Sequence, residues 1–430
     1  MKQIGIALCI LILFNACANK KQITHSEDYS KYIIAVSKTP QKLETEIVFW
    51  KKRLENGKVD VIAYSMLGSL QASKFEAEGN ISDLIVSDSF FLLQHALEKN
   101  TSSGTFRSLA KNCISQHKFK LAKKYIDSAL VLGDKKYNSL LMKFDVELEL
   151  GNYAVAQMTL AQLNDKNEFN YLIRMAKLED HKGSLSKAIE LAEMAAGKPE
   201  VAQSKELQCW VQSNLGDMYA HNNEFDKAYA KYLQVLEINP NYYHCLKGIA
   251  WIAFTYDHNF SEAKLILESI SIKHPIPDYN LMLSKIYKEE KNTNEYKKQM
   301  QTFMGKVQNP KYGDMYNKYI FYLMTEDFLN YPKALEIAKV EVNNRPTPES
   351  YNLLAWAYYK NGNTEMAYKI MNKNVINKNF EPDALYHIAE ISAANRMKKQ
   401  AQKYYELAQE SVFELGPEYA DILKKGMNEL

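Results

Sequence analysis

The sequence predicts an all-α chain built as a solenoid of about ten helical hairpins. Three observations predict it. Small residues or their substitutes recur at Ser89, Ala122, Ala156, Ala188, Ala228, Ala263, Tyr296, Ala334, Ala367 and Ala401, and six of the nine steps lie within one residue of 34. Prolines fall near the predicted ends of second helices, at Pro199, Pro240, Pro275, Pro310, Pro346 and Pro382, where a ring without an N–H ends a helix. At 430 residues the chain exceeds the usual size of a single core, whereas a stack of hairpins in which each touches its neighbours escapes that limit.

The clearest unit is Leu215 to Pro240, LGDMYAHNNEFDKAYAKYLQVLEINP. Leu215, Gly216 and Tyr219 share one helical face. After the turn at Asn222-Asn223, Ala228, Tyr232 and Val235 form a second apolar face at i, i+4 and i+7. Small Gly216 and Ala228 let the two helices approach, with Tyr219 and Tyr232 beside them. This pattern resembles the tetratricopeptide repeat (TPR), a helix–turn–helix unit of about 34 residues. Gln212 and Val235 depart from it, where the family has a Trp and a small residue. Tyr351 to Asn374 repeats the pattern with Leu354, Ala355, Tyr358 and Ala367 around the turn Asn361-Gly362-Asn363. The resemblance implies a right-handed α-solenoid running over 60–411. Within it, Phe75 to Asp83 reads as an insertion of about nine residues in a turn. Longer steps are expected around Val201 to Trp210 and Tyr312 to Asn330. The stretch 412–430 is expected to hold a C-terminal capping helix.

At the amino terminus, Lys2, the apolar run Ile4 to Phe14 and Asn15-Ala16 read as a signal peptide over 1–16. The run is too short to span a bilayer as a stable helix. Ala16 before Cys17 resembles the lipobox of bacterial lipoproteins, which implies lipidation of Cys17 and a first mature residue there. Phe14 departs from the motif, and a plain signal peptide with an incidental cysteine is the alternative. Ala18 follows where an inner-membrane lipoprotein would carry Asp, so the resemblance implies outer-membrane attachment, with 17–27 as lipidated cysteine and flexible tether. The segment 28–59 reads as an N-terminal helix pair, Tyr29 to Ser37 and Leu43 to Leu54. In its second member Leu43, Ile47, Trp50 and Leu54 form a buried stripe.

Composition excludes several functions. Lys+Arg of 54 against Asp+Glu of 51 leaves a net charge of +3, too small to imply nucleic acid as a partner. No Gly-rich phosphate loop, nucleophile elbow, HExxH or CxxC pair is present. His244-Cys245 with Cys209 and His221 lacks the short ligand spacing of a zinc site. Cys113, Cys209 and Cys245 read as buried free thiols, a Cys209–Cys245 bridge being the alternative. No enzyme activity, cofactor or metal is expected.

Groove-facing positions of first helices in the repeat family map onto Trp210, Asp217, His244, Lys247 and Trp251, and later onto Asn352, Trp356, Tyr359, Asp383, Tyr386 and Glu390. The partner-binding groove is accordingly read as Trp210, Lys247, Trp251, Asn352, Trp356, Tyr359 and Tyr386. Each Trp either anchors a partner or packs between repeats. The Lys and Asn pairs by which some TPR proteins grip a terminal carboxylate are missing. The implied function is a lipid-anchored scaffold that holds a protein or peptide partner at the bacterial cell envelope. The alternative is a glycan- or nutrient-capture lipoprotein, similar to those of starch-utilisation systems, with Trp251 and Trp356 stacked on sugar rings and Phe75 to Asp83 as its insertion.

Overall fold

The computed structural model describes residues 21–34, 41–163 and 165–430. The signal-peptide and Cys17 readings lie outside them. Within them the chain is all-α and coils as a solenoid of ten helical hairpins, from Val61–Glu78 with Ile81–Leu97 to Pro382–Ala394 with Lys398–Glu410. A last helix, Tyr419–Asn428, packs on Lys398–Glu410. No helix among the described residues is long and apolar enough to cross a membrane.

Each hairpin turn has one residue in the left-handed region: Gly79, His117, Gly151, Gly183, Asn223, His258, Lys291, Leu329, Gly362 and Arg396. Such a residue turns the chain sharply enough for the second helix to fold back on the first. Only four of the ten are glycine, so the other six accept a backbone cost of roughly 1 kcal/mol each, offset by packing. Between the helices the small residues are fully buried, including Ala122, Ala156, Ala188, Ala228, Ala263, Ala334, Ala367 and Ala401. At the centre, the Tyr232 ring is clasped from both sides: a Cβ on Gly216 or on Gly248 would meet it at 2.5 or 2.6 Å.

Four expectations are corrected. Phe75 to Asp83 is not a loop insertion. Helix Val61–Glu78, capped by the Asp60 carboxylate, has 18 residues and Ile81–Leu97 has 17, so only Gly79 and Asn80 are left between them. The small residue of that hairpin is Ser87, fully buried with its hydroxyl donating to the Gly68 carbonyl (2.7 Å), while Ser89 is exposed. The long step before Ala228 is taken up by the short helix Pro199–Ala202 and the 17-residue Lys205–His221. That before Ala334 is taken up by a 3₁₀ turn at Pro310–Tyr312 and a π-turn at Leu323–Asp327.

The remaining two corrections concern the amino-terminal segment. Helix Ser26–Ile34 packs against Phe225–Ile238 and Phe260–Lys273 in mid-chain, whereas Gln41–Lys52 packs on Val61–Glu78. Residues 21–27 are likewise docked and do not form a free tether. Ile23 and Thr24 are buried; the Asp257 carboxylate accepts from both of their N–H groups (2.9 Å each) and from the Thr24 hydroxyl (2.6 Å). Lys21 pairs with Asp226 at 2.7 Å, and fully buried Tyr29 donates to Glu262 at 2.8 Å. A polar composition concealed this docking because most of its partners are single carboxylates more than 190 residues away.

The coil closes on itself. Hairpin turns of the early repeats rest on the connections between later repeats, 195 to 197 residues further on: Gly79 on Ile276, Gly151 on Pro346 and Gly183 on Phe380. Arg345 crosses this seam to Glu149 (3.1 Å), and the Asn223 side chain donates to the Glu410 carbonyl (3.2 Å).

Candidate functional site

Where the coil closes, four consecutive first helices and the turn after the last hairpin line an open-mouthed cavity of about 430 Å³. Asp217 and His221 come from Lys205–His221, Lys247 and Trp251 from Tyr243–Thr255, and Asp278 and Lys285 from Pro277–Glu289. Tyr316 and Tyr319 belong to the next repeat, and Phe413 and Glu414 lie beyond the last. The lining therefore follows from solenoid geometry, in which each repeat presents the same face of its first helix to the interior.

Polar groups here are sorted into satisfied and free. Burial opposes charge on Asp217, but His244 at 2.7 Å and the Tyr232 hydroxyl, also at 2.7 Å, outweigh it and hold the carboxyl below its usual range. Asp278 accepts from the Tyr316 hydroxyl at 2.7 Å. Lys285 lies 5.4 Å from the centre of the Trp251 ring. Among the described residues neither Lys247 nor Lys285 has a carboxylate within ion-pair distance. The half-buried Trp251 ring and two uncompensated ammonium groups thus face one space that can take apolar and anionic groups together.

Glu414 is the least comfortable group. Burial, then Glu381, Asp180 and Asp383, push its carboxyl up to about 8, with Lys318 pulling the other way and His221 Nε2 3.8 Å away. Between the ordinary value of 4.5 and about 8 the folded chain holds a proton that the unfolded chain has released. Stability contributed here is therefore present at low pH and lost as pH rises through that window, by at most about 1.4 kcal/mol per unit. Glu414→Gln should flatten the fall in melting temperature between pH 5 and 8. An unchanged slope would show that Glu414 is not held protonated.

The predicted groove residues do not form one site. Lys247 and Trp251 line the cavity. Trp210 is half-buried against Phe169, with ring centres 6.1 Å apart. Asn352 and Trp356 are excluded from the surface at 0% and 1% exposure, so they are core residues and not groove anchors. Tyr359 and Tyr386 pack against that core, Tyr359 donating to Glu390 (3.3 Å) and Tyr386 lying edge-on to Tyr419. His244 and Cys245 point apart, the first to Asp217 and the second into the core; all three cysteines among the described residues are buried and free. Sequence reasoning missed Tyr316, Tyr319, Phe413 and Glu414. The apolar cluster Val412-Phe413, with Leu415, between the last hairpin and Pro417 was the one available signal.

The fold and its cavity define a helical-repeat scaffold. Two of its repeats match the tetratricopeptide repeat profile, over residues 211–242 and 348–373, the two units most regular in sequence. Such repeats imply a role in protein–protein interaction. A tetratricopeptide repeat protein from Parabacteroides merdae is 15% identical over 60% of this chain and 97% of its own, with a TM-score of 0.36. YrrB, a TPR protein with an unusual peptide-binding site, is 19% identical over 46% of this chain and 95% of its own, at 0.27. Yeast Tom70 is 14% identical over 90% of this chain and 93% of its own, at 0.34. At such scores these likenesses say nothing about the partner. A search of curated proteins finds no match.

Proposed function

We propose that this protein is a non-catalytic, lipid-anchored TPR scaffold that holds a protein or peptide partner at the bacterial envelope, with the central cavity as the docking site. The observation that carries the docking site is the cavity itself, where Trp251 stands with Lys247 and Lys285, unpaired with carboxylates among the described residues, on a wall made by consecutive repeats. An aromatic platform with flanking cations suits a segment bearing an apolar side chain beside a carboxylate. The anchor at Cys17 and the outer-membrane location rest on the lipobox resemblance. Glycan capture is not favoured, because Phe75 to Asp83 is mostly helix and supplies no sugar-binding loop.

The test is in-cell photo-cross-linking from position 285 in the full chain. A discrete adduct is expected, and Trp251→Ala should abolish it. An adduct that persists undiminished in Trp251→Ala would exclude this cavity as the docking site. Separately, Cys17→Ser should shift the protein from the membrane fraction to the soluble one; retention in the membrane would exclude the lipid anchor.

A further inference from the structure

The cavity has a wall that does not belong to the repeats. After helix Lys398–Glu410 the chain makes the short turn Val412–Leu415 before its final helix, and this turn reaches across the seam into the central repeats. The Phe413 ring sits 4.5 Å from that of Phe225 and 6.4 Å from that of Trp251, and its carbonyl accepts from Trp251 Nε1 at 3.2 Å. Glu414 beside it faces His221. The residue with the best claim to grip a partner is therefore already gripped by the chain's own Phe-Glu.

We infer that the turn 411–416 is a latch over the cavity, standing in for a partner segment that carries an aromatic residue followed by an acidic one, and that such a segment seats by displacing it. This rests on the cavity being the docking site. The chain gives the latch reason to leave. Its apolar side chains gain by burial, but half-buried Glu414 feels the repulsion of Glu381, Asp180 and Asp383, and a Glu418 oxygen is buried with no hydrogen-bond partner among the described residues. Carboxylates so placed work against the closed position. Gly416, with φ of +113°, ends the turn in a conformation that L side chains rarely adopt. Tethering holds the latch at an effective concentration of order millimolar, so a free segment of the same sequence competes poorly until the tethered one is weakened.

The probe is a fluorescent peptide of the latch itself, SVFELG, titrated against the full chain. Phe413→Ala should bind it about tenfold or more tightly than the native chain does, and a peptide with Ala in place of Phe should not bind. Equal binding to both chains, or binding to neither, overturns the proposal. A second chain, Asn223→Cys/Glu410→Cys, keeps Phe413 and joins two positions that already touch, so it controls for misfolding. Oxidised, it should refuse the peptide, and reduction should restore the weaker binding of the native chain; peptide bound equally well in the oxidised and reduced forms overturns the latch. Neither readout depends on the native partner, so the latch can fail while the Trp251 cross-link holds, and the reverse.

Discussion

Trp356→Ala should destabilise the protein by about 3–5 kcal/mol, the range for truncating a buried Trp, while leaving capture of a partner at the central cavity intact under conditions where the chain stays folded. Trp356 is 1% exposed and lies flat on the His387 ring, with centres 3.9 Å apart and planes 14° from parallel. Tyr359 stacks beside it at 5.0 Å, and the Trp356 Nε1 donates to Glu326 at 3.1 Å. Burial holds His387 neutral, its pKa pushed down to about 3, and its Nδ1 lies 3.0 Å from the side-chain oxygen of equally buried Asn352. Removing the indole opens a void against the His387 ring, Tyr359 and Tyr386 at once. Because each hairpin depends on its neighbours, the C-terminal repeats should unfold at lower urea than the rest. Hydrogen exchange in 317–410 against 205–273 reads that directly. A groove anchor would behave in the opposite way, with stability unchanged and capture lost.

Trp251 and Trp356 occupy the same place in their repeats, so periodicity alone gives them one fate. The structure gives them two. Around Trp356, Tyr359 and Glu326 come from its own and the preceding repeat and Tyr386 and His387 from the next, and together they enclose the indole. At Trp251 the next repeat offers Lys285, which covers part of the ring and leaves the cavity open. Local pattern was enough for the hairpins, because a helix pair closed around a small residue is a short-range decision visible in Gly216, Ala228 or Ala367. It was not enough for closure of the coil. Whether Gly183 meets Phe380, or Asp257 meets Thr24, depends on small rotations summed over many repeats, and no spacing in the sequence records that sum. The cavity is partly legible for the same reason: its repeat-borne wall follows the family pattern, and its Phe413 wall exists only because the coil returns.

Arg345→Ala should cost about 1.5–3 kcal/mol, the range for charge-assisted hydrogen bonds, and open the coil. The Arg345 side chain is 14% exposed and lies between carboxylates of both layers of the seam: Glu149 at 3.1 Å from an early repeat, Glu349 at 2.9 Å and Glu341 at 3.8 Å from its own side. Its guanidinium also lies 5.6 Å from the centre of the Phe119 ring. Burial already lifts the carboxyls of Glu149 and Glu341 above their ordinary range with Arg345 in place. Without it they keep only partial compensation, from Lys177 acting on Glu149 and from Lys318, 2.8 Å from Glu349. Removing the cation from one side leaves uncompensated charge, most of all on Glu341 at 7% exposure, which is why the penalty exceeds the worth of the pair. Arg345→Lys should not restore closure, since a single ammonium cannot serve Glu149 and Glu349 as a planar fork does. The radius of gyration from small-angle scattering should rise in both variants, whereas Glu149→Gln/Arg345→Met, which removes the early-layer charge together with its partner, should lose less stability than Arg345→Ala. A chain that melts earlier with its radius unchanged would place the closing force elsewhere, in the docked 21–34 segment or the Phe413 latch, and Arg345 would then be a neutralising group and not the bolt of the coil.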